Sequence, residues 1–164
     1  MLFIPMEPIF DHDKLDVYAL ELQFVTWTTD FLDEVSQSPV SRRRELVDQL
    51  DRASISVLLN TAEGNGKRQG PQRARYFDDA RGSALECAAC LDASVAKRIT
   101  KSDRICPGKE LLARIVAMLT RLVERSIQTN SGFAKMESTN DRLRARAGAR
   151  ARAGKRRSLF RNSL

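Results

Sequence analysis

Histidine and cysteine are scarce in this sequence: its 164 residues include one histidine and three cysteines. Cys87 and Cys90 form a C-x-x-C pair, but the pair falls inside a predicted helix and no second pair completes a four-ligand zinc site. We interpret these cysteines as small core residues. The carboxylates Glu63, Asp79 and Glu86 have no histidine or cysteine beside them and so do not make a catalytic set. We therefore expect no enzymatic activity, no metal, no cofactor and no small-molecule substrate.

Long apolar runs are also missing, and none approaches the roughly 18 residues that a membrane-spanning helix needs. The apolar start MLFIPMEPIF is interrupted by Pro5, Glu7 and Pro8 and lacks a basic flank, which is not typical of a signal peptide. An odd number of cysteines without such a signal fits a reducing compartment. We expect a cytoplasmic protein without a membrane partner.

Basic charge is concentrated at one end of the chain. Residues 1–125 contain 18 Lys or Arg and 19 Asp or Glu, whereas residues 126–164 contain 10 basic and 2 acidic residues, a net charge of +8. This second segment has few apolar residues and includes the low-complexity run RLRARAGARARAGKRR. Such a composition cannot bury a core, so we expect a disordered tail.

Apolar residues recur with helical spacing in four stretches, separated by Pro39, by a glycine-rich turn that begins at Gly64, and by a connection at residues 106–108. The four predicted helices are 13–35, 42–63, 71–99 and 110–125. No stretch shows sustained alternation, so we expect no sheet. The predicted fold is all-α: an antiparallel up-down four-helix bundle with a disordered basic C-terminal tail. We assign residues 1–9 to an N-terminal extension, 10–125 to the bundle and 126–164 to the tail.

Polar residues keep helical spacing on one face of each of the two middle helices. In an antiparallel hairpin centred near Lys67, Gln49 would face Glu86, and Arg52 could also reach Glu86. Glu63 could reach the arginines at the start of the third helix. We predict a buried structural polar network that fixes helix register, and its alternative is a binding or catalytic cleft. The network residues are Gln49, Arg52, Asn60, Glu63, Arg75, Arg81 and Glu86.

Four motifs carry a resemblance to a known family. They are FDHDKLDVY at Phe10–Tyr18, QLDRASIS at Gln49–Ser56, NTAEGNGKR at Asn60–Arg68 and ARGSALE at Ala80–Glu86. The chain resembles, over residues 10–123, the four-helix-bundle family encoded in bacterial 23S ribosomal RNA intervening sequences. It also resembles, more distantly, the nucleic-acid-binding accessory protein of diversity-generating retroelements. The resemblance implies an up-down bundle that assembles into a ring-like homo-oligomer, typically a homopentamer.

Two positions depart from the family pattern. The family usually has a proline where this chain has Leu58 and a branched aliphatic residue where it has Thr61. We expect Leu58 to give a straighter second helix, because it restores a backbone donor and removes a ring clash. Neither change affects the predicted fold.

Two basic segments are candidates for nucleic-acid binding. The turn GNGKRQG follows a helix and lacks the Walker spacing, so the sequence favours a plain helix-hairpin turn. The alternative is a basic turn whose Lys67 and Arg68 touch a phosphate backbone. The tail supplies guanidinium groups suited to phosphate, although it could be a dispensable extension. Its candidate residues are Arg142, Arg144, Arg146, Arg150, Arg152, Lys155, Arg156 and Arg157. Few aromatic residues accompany them, so binding would be weakly selective.

We therefore expect a non-enzymatic oligomeric bundle that binds RNA or DNA non-specifically through basic surfaces. The alternative is a protein-interaction adaptor or accessory subunit, for example of a reverse transcriptase. Self-association is also expected from helix one, where Phe24, Trp27 and Phe31 together with neighbouring aliphatic residues exceed the needs of a monomer core.

Overall fold

The computed structural model describes residues 7–36 and 43–128. A 3₁₀ turn at Asp11–Lys14 precedes the first of four α-helices in these residues. The helices are α1 (Asp16–Ser36), α2 (Arg43–Gly66), α3 (Gly70–Ala96) and α4 (residues 102–128). The described residues contain no strand, which confirms the predicted all-α class. The predicted tail lies outside the described residues except for residues 126–128, which continue α4.

Contacts between neighbouring helices show that they run in alternating directions. Thr61 near the end of α2 bonds to Glu21 near the start of α1, and Glu34 near the end of α1 pairs with Arg104 near the start of α4. The turn after Gly66 reverses the chain within three residues. The start of α1, the α2–α3 turn and the end of α4 therefore share one end of the bundle, which we call the turn end. The up-down arrangement predicted from the sequence is confirmed.

The core fills the space between the four helices. Each helix contributes side chains that are almost fully buried, and burying one such apolar side chain stabilises the fold by roughly 1.5–3 kcal/mol. The largest of them are Phe24, Phe31, Leu50, Phe77, Leu91, Leu112, Ile115 and Leu119. Phe24 and Phe31 thus pack inward, and Trp27 stacks between them, half-buried. The expectation that these α1 aromatics form a surplus apolar surface is wrong, because the bundle core uses them.

Helix α2 continues through Gly64, where the sequence predicts its end. Gly64 is buried, and a Cβ added there would lie 3.0 Å from the ring of Phe77 on α3. The glycine therefore permits a close approach of two helices and does not mark a turn at that point. Helix α2 also runs without interruption through Leu58, where the family usually has proline.

The predicted connection at residues 106–108 is wrong, because these residues lie inside α4. Gly108 packs so closely against the Trp27 ring that any Cβ would overlap it. Pro107 sits on the exposed side of the helix, and Ile105 is buried in the core. Apolar packing on both sides of Pro107 compensates for the one backbone donor that proline lacks. The actual connection, residues 97–101, contains Arg98 in the left-handed region at a φ of 57°.

Candidate nucleic-acid interface

The predicted polar network lies on the outer side of the α2–α3 pair. Gln49 donates to the Glu86 carboxylate, as its position in the hairpin predicts. Ser56 and Ser83 share a hydrogen bond of 3.0 Å. The two helices are therefore bridged twice by polar side chains, at sites about two turns apart.

Arg52 does not reach Glu86. Its Nη2 donates to Gln49 Oε1 at 2.7 Å and its Nε to the Asp48 carbonyl at 3.2 Å. Gln49 therefore links Arg52 to Glu86, and no direct ion pair joins the two charges. Both charged residues are exposed, so the stabilisation they give is small, about 0–1 kcal/mol for exposed pairs in general.

The other network members bond mainly within their own helix or turn. Asn60 donates to Ser56 at 3.1 Å, and Arg81 binds one Asp78 oxygen through two nitrogens at 2.9 and 2.7 Å. These bonds add local support to each helix. The network is thus half-buried to exposed, and it joins the two helices at Gln49–Glu86 and Ser56–Ser83, whereas the sequence predicts a buried set.

Apolar residues are interspersed with these polar groups on α2. Ile55 is 39% exposed and Leu59 is 62% exposed, and both line an open groove of about 470 Å³ together with Ser56, Asn60 and Glu63. On α3, Leu85 is also exposed. This groove fits the alternative interpretation of the network as a binding surface.

The turn between α2 and α3 holds the first pair of predicted nucleic-acid-binding residues. Lys67 Nζ donates to Glu63 Oε1 at 2.9 Å and lies 4.7 Å from the centre of the Tyr76 ring. The hydrogen bond to Glu63 raises the pKa of Lys67, and the same bond, followed by one from the Tyr76 hydroxyl, lowers the pKa of Glu63. Lys67 therefore stays charged and has a fixed position, while Arg68 is exposed.

The backbone of this turn is fixed by a third arginine. Arg73 donates from Nε and Nη2 to the Lys67 carbonyl, at 3.1 and 2.8 Å. It satisfies a carbonyl that the end of α2 leaves without a helical partner. The sequence predicts Arg73 or Arg75 as a partner of Glu63, but Arg73 holds the turn and Arg75 lies exposed beside it. The result is an ordered turn with cationic side chains on its outer surface.

More cations lie at the same end of the bundle. A cavity of about 250 Å³ between the start of α1 and the end of α4 is lined by Lys14, Arg121 and Arg125 together with Asp16 and apolar neighbours. Residues 142–157, which contain the remaining predicted contacts of the tail, lie outside the described residues. They follow α4 in sequence, and α4 reaches residue 128 at the turn end.

A buried acid on α1 was missed by the sequence analysis. Glu21 is 1% exposed, accepts a 2.7 Å hydrogen bond from Thr61 Oγ1, and leaves its second oxygen without a partner. Burial raises the pKa of Glu21 to about 8. The only signals in the sequence were a carboxylate on an apolar stripe and a polar residue, Thr61, at a usually aliphatic position.

The cysteines show no sign of a reactive site. Cys87 is buried among core residues, and burial raises its pKa to about 12. Cys90 is half-buried, and burial raises its pKa as well. Cys106 is exposed near the start of α4. Within residues 7–36 and 43–128, no group of three or more His, Cys, Asp or Glu residues is placed to hold a metal ion. The same residues include no helix with both the length and the apolar character that a membrane crossing requires.

Comparison with known families gives one match. The model of the family described as 23S rRNA-intervening sequence protein matches residues 13–121, which include α1 to α3 and most of α4. None of the curated proteins matches the chain significantly. The family match confirms the resemblance carried by the four sequence motifs.

Proposed function

Because the chain belongs to the 23S rRNA-intervening sequence protein family, we propose that it is a non-enzymatic, self-associating bundle that binds RNA or DNA through basic surfaces. The observation that carries the proposal is the ordered basic turn between α2 and α3. Lys67, Arg68, Arg73 and Arg75 lie within nine residues there, and Lys67 and Arg73 are held by hydrogen bonds to the protein. Cations held in fixed positions bind phosphates without losing further side-chain entropy.

The tail supplies the larger share of charge. Its net charge is +8. In this proposal the turn provides an ordered contact with phosphate and the tail provides an electrostatic one. Contacts of this kind position a strand but read little sequence, because phosphates are the same at every nucleotide.

The test is the salt dependence of binding to the full chain. If the tail neutralises about eight phosphates, the slope of log K against log salt should be about −7 on duplex and about −5 to −6 on single strands. Replacement of the tail arginines by glutamine in the full chain should flatten this slope. A variant with the same affinity and slope as the parent would contradict a role for the tail, and a full chain that binds neither RNA nor DNA would contradict the proposed function.

Self-association is proposed through the outer side of α2 and α3. The exposed Ile55, Leu59 and Leu85 offer apolar contact area there, and the α1 aromatics do not, since they are in the core. A ring-like homopentamer of the kind that the family resemblance implies would repeat the basic turn around its circumference. Light scattering should give a mass of several subunits, and a monodisperse particle of 18.5 kDa at micromolar concentration would contradict the proposal.

A second candidate function is a protein-interaction adaptor. The groove on α2 combines the apolar Ile55 and Leu59 with polar and charged neighbours, and an apolar centre with a polar rim is typical of a protein-binding surface. Such an adaptor would bind its partner with little dependence on salt. We also propose that the protein acts in the cytoplasm, where its three free cysteines would stay reduced.

A further inference from the structure

The α2–α3 turn carries a cavity that the proposed function does not require. Its volume is about 360 Å³, within the range of small-molecule sites, and its walls are Lys67, Gln72, Arg75, Tyr76 and Asp79. Non-specific phosphate binding needs only exposed cations. A concave site that combines two cations, an amide, an aromatic ring and a carboxylate can recognise a more complex group.

The cationic part of the cavity is ordered before any ligand arrives. Lys67 Nζ donates to Glu63 and lies over the Tyr76 ring, so the position of the ammonium group is fixed before a ligand binds. Arg73 fixes the Lys67 backbone through two hydrogen bonds. Arg75 adds a second cation from the first turns of α3. Together, Lys67 and Arg75 make this side of the cavity suitable for a phosphate group.

The carboxylate of Asp79 gives the cavity a second kind of contact. Asp79 lies four residues after Arg75, one helical turn along α3, so the two side chains are neighbours on the cavity wall. A carboxylate repels phosphate, but it accepts hydrogen bonds from hydroxyl groups. A ligand that matches both the two cations and the carboxylate carries a phosphate and, a few ångströms away, a hydroxyl donor. A ribonucleotide has this combination, and a deoxyribonucleotide lacks the 2′-hydroxyl.

We propose that this cavity, which we call the turn cavity, binds one ribonucleotide unit, with its phosphate at Lys67 and Arg75 and its 2′-hydroxyl donating to Asp79. The Gln72 amide, which can both donate and accept, faces the same ligand. This inference rests on the proposed nucleic-acid binding and deepens it: the tail attracts any strand, and the turn cavity favours RNA over DNA.

The test compares an RNA hexamer and a DNA hexamer of the same sequence, labelled and followed by fluorescence anisotropy with the full-length protein. We expect RNA to bind roughly ten- to hundredfold more tightly, the effect of one hydrogen bond to a charged group. Asp79→Asn should reduce this ratio severalfold, because a neutral amide oxygen is a weaker acceptor than a carboxylate, and should tighten DNA binding because it removes a negative charge.

A pair of double variants separates the cavity from general electrostatics. Lys67→Ala with Arg75→Ala should weaken RNA binding about tenfold more than Arg44→Ala with Arg114→Ala, which removes two exposed cations outside the cavity. Equal losses of RNA affinity in the two double variants would overturn the proposal that the turn cavity binds a ribonucleotide unit. Equal affinities for RNA and DNA in the parent, with Asp79→Asn tightening both alike, would also overturn it while leaving non-specific binding by the tail intact. Binding of neither hexamer would overturn the proposed function itself.

Discussion

The buried acid on α1 predicts an unusual dependence of stability on pH. Glu21 is almost fully buried, and its ordinary pKa of 4.5 rises to about 8 in the fold, mainly because burial disfavours the charged carboxylate. The bond from Thr61 acts in the opposite direction and does not offset burial. Between these two pH values the folded chain binds a proton that the unfolded chain releases. Stability should therefore fall as the pH rises from 4.5 to 8, and should change little from this cause above 8.

The size of the effect follows from the pKa difference. Each pH unit in this window costs about 1.4 kcal/mol, so the full penalty is about 5 kcal/mol at pH 9 and about 3 kcal/mol at pH 7. Such a loss is a large fraction of the 5–15 kcal/mol that holds a typical domain folded. Glu21→Met fills a similar volume without a titrating group and should remove the penalty. Glu21→Gln keeps an acceptor for Thr61 and removes the charge.

The assay is urea unfolding followed by far-ultraviolet circular dichroism from pH 5 to pH 9, at one protein concentration. The quantity to compare is the unfolding free energy of Glu21→Met minus that of the parent. Other carboxylates titrate in both proteins and cancel in this difference. Tyr18, whose pKa is raised partly by Glu21, titrates above the range used. The difference should rise by about 1.4 kcal/mol per pH unit and level off above pH 8.

A difference that is constant from pH 5 to pH 9 would refute the reasoning, because it would mean that Glu21 ionises equally well in the folded and unfolded chain. Glu21→Gln is the control for changes in packing. The buried amide can lower stability at every pH, because it lacks a partner. The unfolding free energy of Glu21→Gln should nevertheless lack the pH dependence due to Glu21, as that of Glu21→Met does.

Further predictions concern packing, surface pairing and thiol chemistry. Gly108→Ala should destabilise the bundle by about 1–3 kcal/mol, since its Cβ would overlap an indole ring, and thermal unfolding would measure the loss. A double-mutant cycle on Gln49 and Glu86 should give a coupling of about 0.2–1 kcal/mol, and a coupling above 3 kcal/mol would show that the pair is buried. A maleimide should label Cys106 in the native protein and Cys87 only after unfolding; equal rates would contradict the buried position of Cys87.

Apolar periodicity was sufficient to predict the four helices and their up-down order. It failed at the start of α4, where Pro107 and Gly108 indicate a break when read locally. In the fold, Gly108 serves the close approach of α1 and α4, a long-range contact that local sequence does not reveal. The same applies to Gly64, which was interpreted as a helix end and serves the contact between α2 and α3.

The candidate site was predicted only in part. Helical spacing placed Gln49 opposite Glu86, but it could not determine that Arg52 folds back onto Gln49, since that depends on side-chain rotamers. Spacing also placed the polar face correctly without indicating how exposed it would be. The turn cavity combines Lys67 with residues from the next helix, so it became visible only with the geometry of the turn.

The packing of Trp27 against Gly108 and Arg104 has an experimental use. Trp27 is the single tryptophan of the chain, and it lies where α1 meets the start of α4, with the Arg104 guanidinium 5.6 Å from its ring centre. Trp27 lies near the middle of α1, about three helical turns from the end of the bundle that carries the α2–α3 turn. Indole fluorescence should therefore report whether α1 and α4 are docked and remain unchanged when a ligand occupies the turn. The chain contains its own optical probe, with which loss of folding can be distinguished from loss of binding in any variant.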